Sequence, residues 1–545
     1  MTQQTGKPSG LSAREQPPES SLTPEQIIQA AALAGLEFTA NEAALMLAGV
    51  SDNLAKYAQL RSVDLPNSAL PAIRFDPRPP APMPAQPRRP VSVRPHKLPP
   101  LPKNLEDLAF WPVTHLSALL HTRQVTSRQL TEMYLTRLKR IGPKLECVVT
   151  LTEELALEQA RRADEEIAQG VYRGPLHGIP WGAKDLLATK GAKTTWGAMP
   201  YKDQVLDMNA TVVERLEAAG AVLVAKLTMG ALAWGDVWFG GKTRSPWNTE
   251  EGSSGSSAGS SAATAAGLVG FAIGTETYGS IVSPSTACGV SGLRPTFGRV
   301  SRHGAMALCW TLDKIGPMCR SVEDCALVFD AIRGPDGYDP TVTDAPFDWP
   351  RRADFSKLRI GYVEDEFAED RSTKVQDEAV LDVLRGLGAD LIPIKLPDYP
   401  IDAAQIILWV EAAAAFDELT RSNRDDLLVR QSEDAWPNRF RVGRMAPAVE
   451  YIQANRLRML AMQAMDDLMA DIDVYVSPSL GNANRWLTNA TGHPLVVTPT
   501  GWRENGLPTT ILFTGRLYDE ATVLAVAMAY QEATEFHLAH PTLEG

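Results

Sequence analysis

The chain has 545 residues, enough for one large core or several domains. Its hydrophobic share of 44% and charged share of 22% are those of an ordinary soluble globular protein. A formal net charge of -12 argues against a general nucleic-acid or membrane-surface binder, because no basic excess exists to meet phosphates.

The first residues, MTQQTGKPSGLSAREQPPES, are polar and lack the apolar segment of a secretory signal. No run of about 18 apolar residues predicts a transmembrane helix. The five cysteines (Cys147, Cys288, Cys309, Cys319, Cys325) are scattered and none forms a CxxC pair. Neither a disulfide framework nor a zinc site follows, and a reducing cytoplasm is the expected setting. No metal or cofactor is expected.

Taken in chain order, residues 1–20 read as a disordered tail. Thr23-Pro24-Glu25-Gln26 reads as an N-cap, a first-turn proline and a capping-box partner, followed by Ile27, Ile28, Leu33 and Leu36 at helical spacing. Thr39-Ala40-Asn41-Glu42 opens a second helix the same way, with Leu45, Met46, Leu54, Tyr57 and Leu60 as its apolar positions. A helical hairpin over 21–62 is too small to hold a core alone. It must dock on the rest of the chain or on a second protomer, which leaves a homodimer open. Residues 63–104 carry a dozen prolines from Pro71 to Pro102, interleaved with Arg74, Arg78, Arg88, Arg89, Arg94 and Lys97. This predicts an extended, polyproline-like strap.

From residue 105 the composition is globular. Ser127 to Ile141 predicts an amphipathic helix. Ala221–Ala225, Leu358–Val363 and Val474–Val476 are short apolar runs of strand character. Their alternation with helical segments predicts an α/β sheet covered by helices.

The stretch from Gly252 to Pro284, GSSGSSAGSSAATAAGLVGFAIGTETYGSIVSP, begins like a flexible linker but does not continue as one. It passes into Ala262–Ala266 and then into Leu268–Ile273. That predicts a serine loop, a small-residue helix, and a strand that breaks at Gly274 before a second loop with Ser280. Three chemistries compete for it. Gly240-Gly241-Lys242-Thr243 resembles the end of a phosphate-binding loop, but the required first glycine falls on Asp236. Gly255-Ser256-Ser257-Ala258-Gly259 fits G-x-S-x-G with Ser257 as nucleophile and His493 or His537 as base, but loop residues precede it where a strand is needed. In the third reading the two serine loops meet at one end of a sheet. The turn Thr277-Tyr278-Gly279-Ser280 could converge its backbone N–H groups on one oxygen, with Ser280 as nucleophile. A buried, neutral lysine could serve as base, and Lys184 ends the apolar run Gly178-Ile179-Pro180-Trp181-Gly182-Ala183.

Gly178-Ile179-Pro180 with Lys184-Asp185, Ser256-Ser257-x-Gly259-Ser260, Gly279-Ser280-Ile281, Cys288-Gly289-Val290 and Gly292-Leu293-Arg294-Pro295-Thr296 together resemble the amidase signature family. The likeness spans roughly residues 105–545. It implies a mixed β-sheet with helices on both faces. It also implies a Ser–cis-Ser–Lys triad in which Ser280 is the nucleophile, Ser256 the bridging serine in a cis peptide and Lys184 the base. The N–H groups of Thr277, Tyr278, Gly279 and Ser280 would form the oxyanion hole, with Ser257 supporting the network. The implied activity is hydrolysis of a carboxylic amide, or of a carbamate or ester, through an acyl-enzyme. The family reads D-x-G-G-S-I-R around the nucleophile, whereas this chain has Glu276, Tyr278 and Val282. An acid–arginine contact beside the turn is therefore expected to be lost. Tryptophans near the motifs (Trp181, Trp196, Trp234, Trp238, Trp247, Trp310) divide between core and a substrate entrance. The hairpin and strap weakly resemble the small subunit of the tRNA-dependent amidotransferase. That leaves an alternative: a subunit that releases ammonia for a partner protein.

Overall fold

The computed structural model describes residues 22–63, 65, 73, 91, 93, 98–481 and 483–543. The predicted tail over 1–20 and most of the predicted strap, with its arginines and Lys97, lie outside the described residues.

Helices α1 (Pro24–Leu33) and α2 (Ala40–Ser62) open with the two capping boxes, Thr23 with Gln26 and Thr39 with Glu42. Each box satisfies two orphan N–H groups at a helix start. The hairpin docks on its own chain. Ile27, Ala43 and Met46 form a small core with Val442, while Tyr57 and Leu60 join the main core. Polar contacts fix the same face: Glu42 lies 2.7 Å from Arg441, Asn438 donates to the Leu45 carbonyl at 3.1 Å, and Arg61 Nε donates to Glu450 at 3.0 Å. Leu54 points outward, and Asn53 takes the buried position beside it.

Fifteen strands follow among the described residues: β1 (Val148–Leu151), β2 (Pro180–Lys184), β3 (Val222–Leu227), β4 (Val237–Trp238), β5 (Gly241–Lys242), β6 (Arg244–Ser245), β7 (Asn248–Gly252), β8 (Phe271–Glu276), β9 (Ser291–Arg294), β10 (Lys314–Cys319), β11 (Ile360–Val363), β12 (Leu391–Ile394), β13 (Val474–Pro478), β14 (Leu495–Trp502) and β15 (Pro508–Gly515). Eleven make one sheet in the order β1-β3-β2-β8-β10-β9-β14-β15-β13-β11-β12, and β4–β7 form two small ribbons. The sheet is mixed: β2 runs parallel to β3 and β8, and β10 antiparallel to β8 and β9.

Side chains alternate across it, as period-two geometry requires. Leu223, Phe271 and Ile273 enter one core, while Val222, Val224 and Ala272 enter the other. The first core is closed by helices Val113–His121, Val322–Ile332 and Glu520–Thr534. The second is closed by Ser127–Leu145, Glu153–Ala168 and Ala258–Ala265. Helices therefore cover both faces. No described helix is long and apolar enough to cross a membrane.

One expectation changes. The strand after the small-residue helix starts later, at Phe271, and runs through Gly274 to Glu276. Gly274 pairs with Gly316 on β10, and a Cβ at 274 would meet the Met318 sulfur at 2.6 Å and Ser257 Oγ at 2.9 Å. Glycine there makes room for the serine loop; it does not end the strand.

Candidate active site

Because β2 and β8 are parallel neighbours, their C-terminal ends lie at the same edge of the sheet. Lys184 closes β2 and Glu276 closes β8. The Lys184 side chain is fully buried. Its Nζ lies 2.8 Å from Ser256 Oγ, 3.0 Å from Ser257 Oγ and 2.8 Å from Thr275 Oγ1. Among the described residues no carboxylate touches it. Burial lowers Lys184 to about 7, against the upward pull of the more distant Asp313 and Glu276 charges.

The three hydroxyls are not equivalent. Ser257 Oγ donates to the Thr275 carbonyl at 3.1 Å and accepts from the Thr275 amide at 3.1 Å, so its proton is committed to the strand. Ser256 carries no such commitment to β8, and the Gly255–Ser256 peptide is cis. The peptide joining Ser256 and Ser257 donates its N–H to the Ser280 carbonyl at 3.2 Å, which ties the two serine loops together.

Glu276 organises the turn beyond β8. Its Oε2 accepts from the amides of Ile281 and Val282 at 2.8 and 3.0 Å. Its Oε1 accepts from Arg294 and Asn489, both at 2.8 Å. Burial alone would raise this carboxyl, but Arg294 and the Val282 amide outweigh it and bring it to about 2. The expected loss of an acid–arginine contact is thus overturned. Position 282 is valine, yet Arg294 arrives from β9 to pair with the longer glutamate. Gly279 sits in the turn at φ 86°, a conformation that favours glycine, and Ser280 remains 8% exposed.

The rival readings lose their geometry. The Lys242 amide donates to the Glu146 carboxylate at 2.7 Å, so it is not free to hold a phosphate. Ser257 is fully buried; the residues before it are not all loop as expected, but the strand there, β7, belongs to a two-stranded ribbon outside the main sheet and ends at Gly252, short of Ser257. His493 and His537 are held neutral by burial, at about 3 and 4. His493 is engaged with the Thr491 hydroxyl at 2.8 Å.

A cavity of about 430 Å³ opens against Thr275 and Thr277. Leu186, Met306, Leu308 and Ile315 give it an apolar wall, and the half-exposed Trp310 and Tyr338 stand on its lining. Of the six tryptophans singled out in the sequence, Trp310 lines this cavity. Trp181 stacks on Phe271 in the core, and Trp247 donates to the Cys288 carbonyl. Sequence reasoning missed Thr275, Asp313 and Lys314. Their only signal was polar residues at the ends of two apolar runs. Burial lowers Lys314 to about 7, with Arg294 adding to the effect. Among the described residues no group of three or more His, Cys, Asp or Glu side chains is arranged to hold a metal ion.

The amidase family profile matches residues 129–524, so α1 and α2 lie outside it. A glutamyl-tRNA(Gln) amidotransferase subunit from Methylococcus capsulatus is 35% identical over 477 residues, covering 79% of this chain and 98% of its own. The protein of the same name from Chloroflexus aurantiacus is 35% identical over 493 residues, covering 81% and 100%. Among solved structures, the native peptide amidase of Stenotrophomonas maltophilia is 30% identical with a TM-score of 0.69, covering 79% of this chain and 98% of its own.

Proposed function

Because the chain belongs to the amidase signature family, we propose that it cleaves the C–N bond of a carboxylic amide through an acyl-enzyme on Ser280. The observation that carries this reading is Lys184, a buried amine surrounded by hydroxyls and, among the described residues, touched by no carboxylate. Such an amine loses its proton near pH 7, far below an ordinary lysine, and in its neutral form can accept a proton. Ser256, whose hydroxyl is not committed to the strand, passes the Ser280 proton to Lys184. Ser280 Oγ then attacks the carbonyl carbon. The turn amides of Thr277, Tyr278, Gly279 and Ser280 hold the oxygen as it gains charge. The C–N bond breaks, and Ser256 returns the proton to the departing nitrogen. Water releases the acid by the same route in reverse, while Ser257 keeps Lys184 in place. The same reading divides the chain into a hairpin, a strap and a catalytic region from residue 105.

The fate of the released nitrogen separates two versions. The curated relatives favour a component that supplies ammonia to a partner, since they are glutamyl-tRNA(Gln) amidotransferase subunits over almost their whole length. Two observations support a self-contained hydrolase. The hairpin covers its own chain, and the cavity beside Thr277 has an apolar, partly aromatic lining suited to an apolar or aryl amide, carbamate or ester. The purified chain, given neither ATP nor partner, separates them. Hydrolysis of a panel of primary amides, aryl amides, carbamates and esters supports the hydrolase. Activity that appears only with an added partner supports the ammonia-supplying version. A fluorophosphonate adduct anywhere but Ser280 overturns both.

A further inference from the structure

Between Leu308 and Asp313 the chain forms one wall of the cavity and carries Trp310. Two carboxylates, the buried Glu411 and the partly exposed Asp313, hold this segment. Glu411 accepts from the Thr311 amide at 3.0 Å, the Thr311 hydroxyl at 2.7 Å, Tyr451 at 2.9 Å and the Cys309 thiol at 3.2 Å. These contacts tie the outer part of the wall to the helices Ile406–Ala415 and Ala448–Ala470. Asp313 does something different. Its Oδ2 gathers the amides of Leu308 and Cys309 at 2.8 and 3.0 Å, closing the segment on itself. Its Oδ1 accepts from the Thr277 hydroxyl at 2.5 Å. Thr277 is the first residue beyond β8 and opens the turn that ends at Ser280.

We propose that Asp313 is a positioning residue for the acyl-transfer site, joining the turn that carries Ser280 to the cavity wall that carries Trp310. The inference rests on the Ser280–Ser256–Lys184 reading. All of the Asp313 contacts above are donated to the carboxylate, which suits its ionised form. Burial pushes Asp313 upward, while the Thr277 hydroxyl, the two amides and Arg302 pull the other way. The charged and titratable groups facing it are Lys184 from β2, Lys314 beside it on β10, Arg302, which is held by Asp339, and Cys309 in its own segment. Those facing Lys184 are Asp313 and Glu276. Glu276 is neutralised by Arg294, so the Asp313 charge is the one whose removal Lys184 should feel most. It favours the protonated lysine. Taking the charge away must lower the pH at which Lys184 becomes a base.

The test is the rate of Ser280 labelling by a fluorophosphonate between pH 5 and 9 on the full chain. This needs no knowledge of the natural substrate. The unaltered protein should show a rate that rises with pH through the Lys184 titration at about 7. Asp313→Asn should label about tenfold more slowly at its plateau, with the midpoint moved to lower pH. A midpoint that stays in place overturns the proposal whatever the rate. Thr277→Val keeps the Asp313 charge and removes the link to the turn. It should slow labelling with no midpoint shift, and it carries the test if Asp313→Asn does not fold. A Thr277→Val protein that labels at the full rate overturns the positioning role. Absence of any Ser280 adduct in the unaltered chain is a separate result, which sinks the triad reading beneath it.

Discussion

Lys184 and Lys226 lie on adjacent strands, β2 and β3, and both side chains are fully buried. Burial lowers the proton affinity of each. Their surroundings differ in one respect. Lys184 meets the hydroxyls of Ser256, Ser257 and Thr275, whereas Lys226 lies 3.2 Å from the buried Asp185 carboxylate and donates to Thr194 at 2.8 Å. Hydroxyls can accept a hydrogen bond without supplying a counter-charge. A carboxylate supplies one and gives the proton a reason to stay. Burial alone therefore does not make a lysine a base. What matters is which groups replace the water.

The largest test of that contrast is removal of each amine. Lys184→Ala should lower turnover and Ser280 labelling by about a thousandfold or more, because the nucleophile loses its base. Lys184→Arg should be nearly as damaging, since arginine stays protonated. Lys226→Met should spare the chemistry and strike stability. It leaves Asp185 buried with its counter-charge gone, which costs about 3–5 kcal/mol by denaturant titration. Converting Asp185 to Asn in the same protein should recover much of that loss. A folded Lys226→Met protein without labelling activity would break the comparison.

The contrast also sets a pH dependence. Lys184 must be neutral to act, so kcat/KM should rise about tenfold per pH unit below about 7 and flatten above it. A profile already flat at pH 5 would mean that another group accepts the proton.

Some of this was legible in the sequence and some was not, for reasons visible in particular residues. The capping boxes at Thr23 and Thr39 are local chemistry and could be read directly. So could the helix from Ser127 and the strands near Val222 and Val474, whose periodicity is strong. The first serine loop was found from its Gly/Ser composition, and the second loop and Lys184 because each sits at the end of an apolar run. Partners fixed only by topology were invisible. Arg294 reaches Glu276 across β10, and Asp313 reaches Thr277 from 36 positions away. Gly274 misled because a glycine that makes room for Ser257 is written with the same letter as one that ends a strand.

The smallest effect on chemistry should come from the N-terminal hairpin, and it extends the comparison from side chains to whole segments. Its contacts are the Val442 core, the Arg441–Glu42 and Arg61–Glu450 pairs, and the insertion of Tyr57 and Leu60 into the main core. None of these residues touches Lys184, Ser256 or Ser280. Deleting residues 1–104 should therefore remove several kcal/mol of stability, at about 1.5–3 kcal/mol for each large apolar side chain that loses its burial. It should expose the Val442 face and lower solubility. Labelling of Ser280 in the fraction that stays folded should change by no more than a few-fold. Thermal unfolding read beside the labelling rate separates the two effects. Loss of labelling in a truncated protein that melts like the full chain would mean that the hairpin shapes the site directly. Unchanged stability together with a partner-dependent activity would mean that the hairpin serves a second protein, and release of ammonia to that protein would then be the better account of the chain.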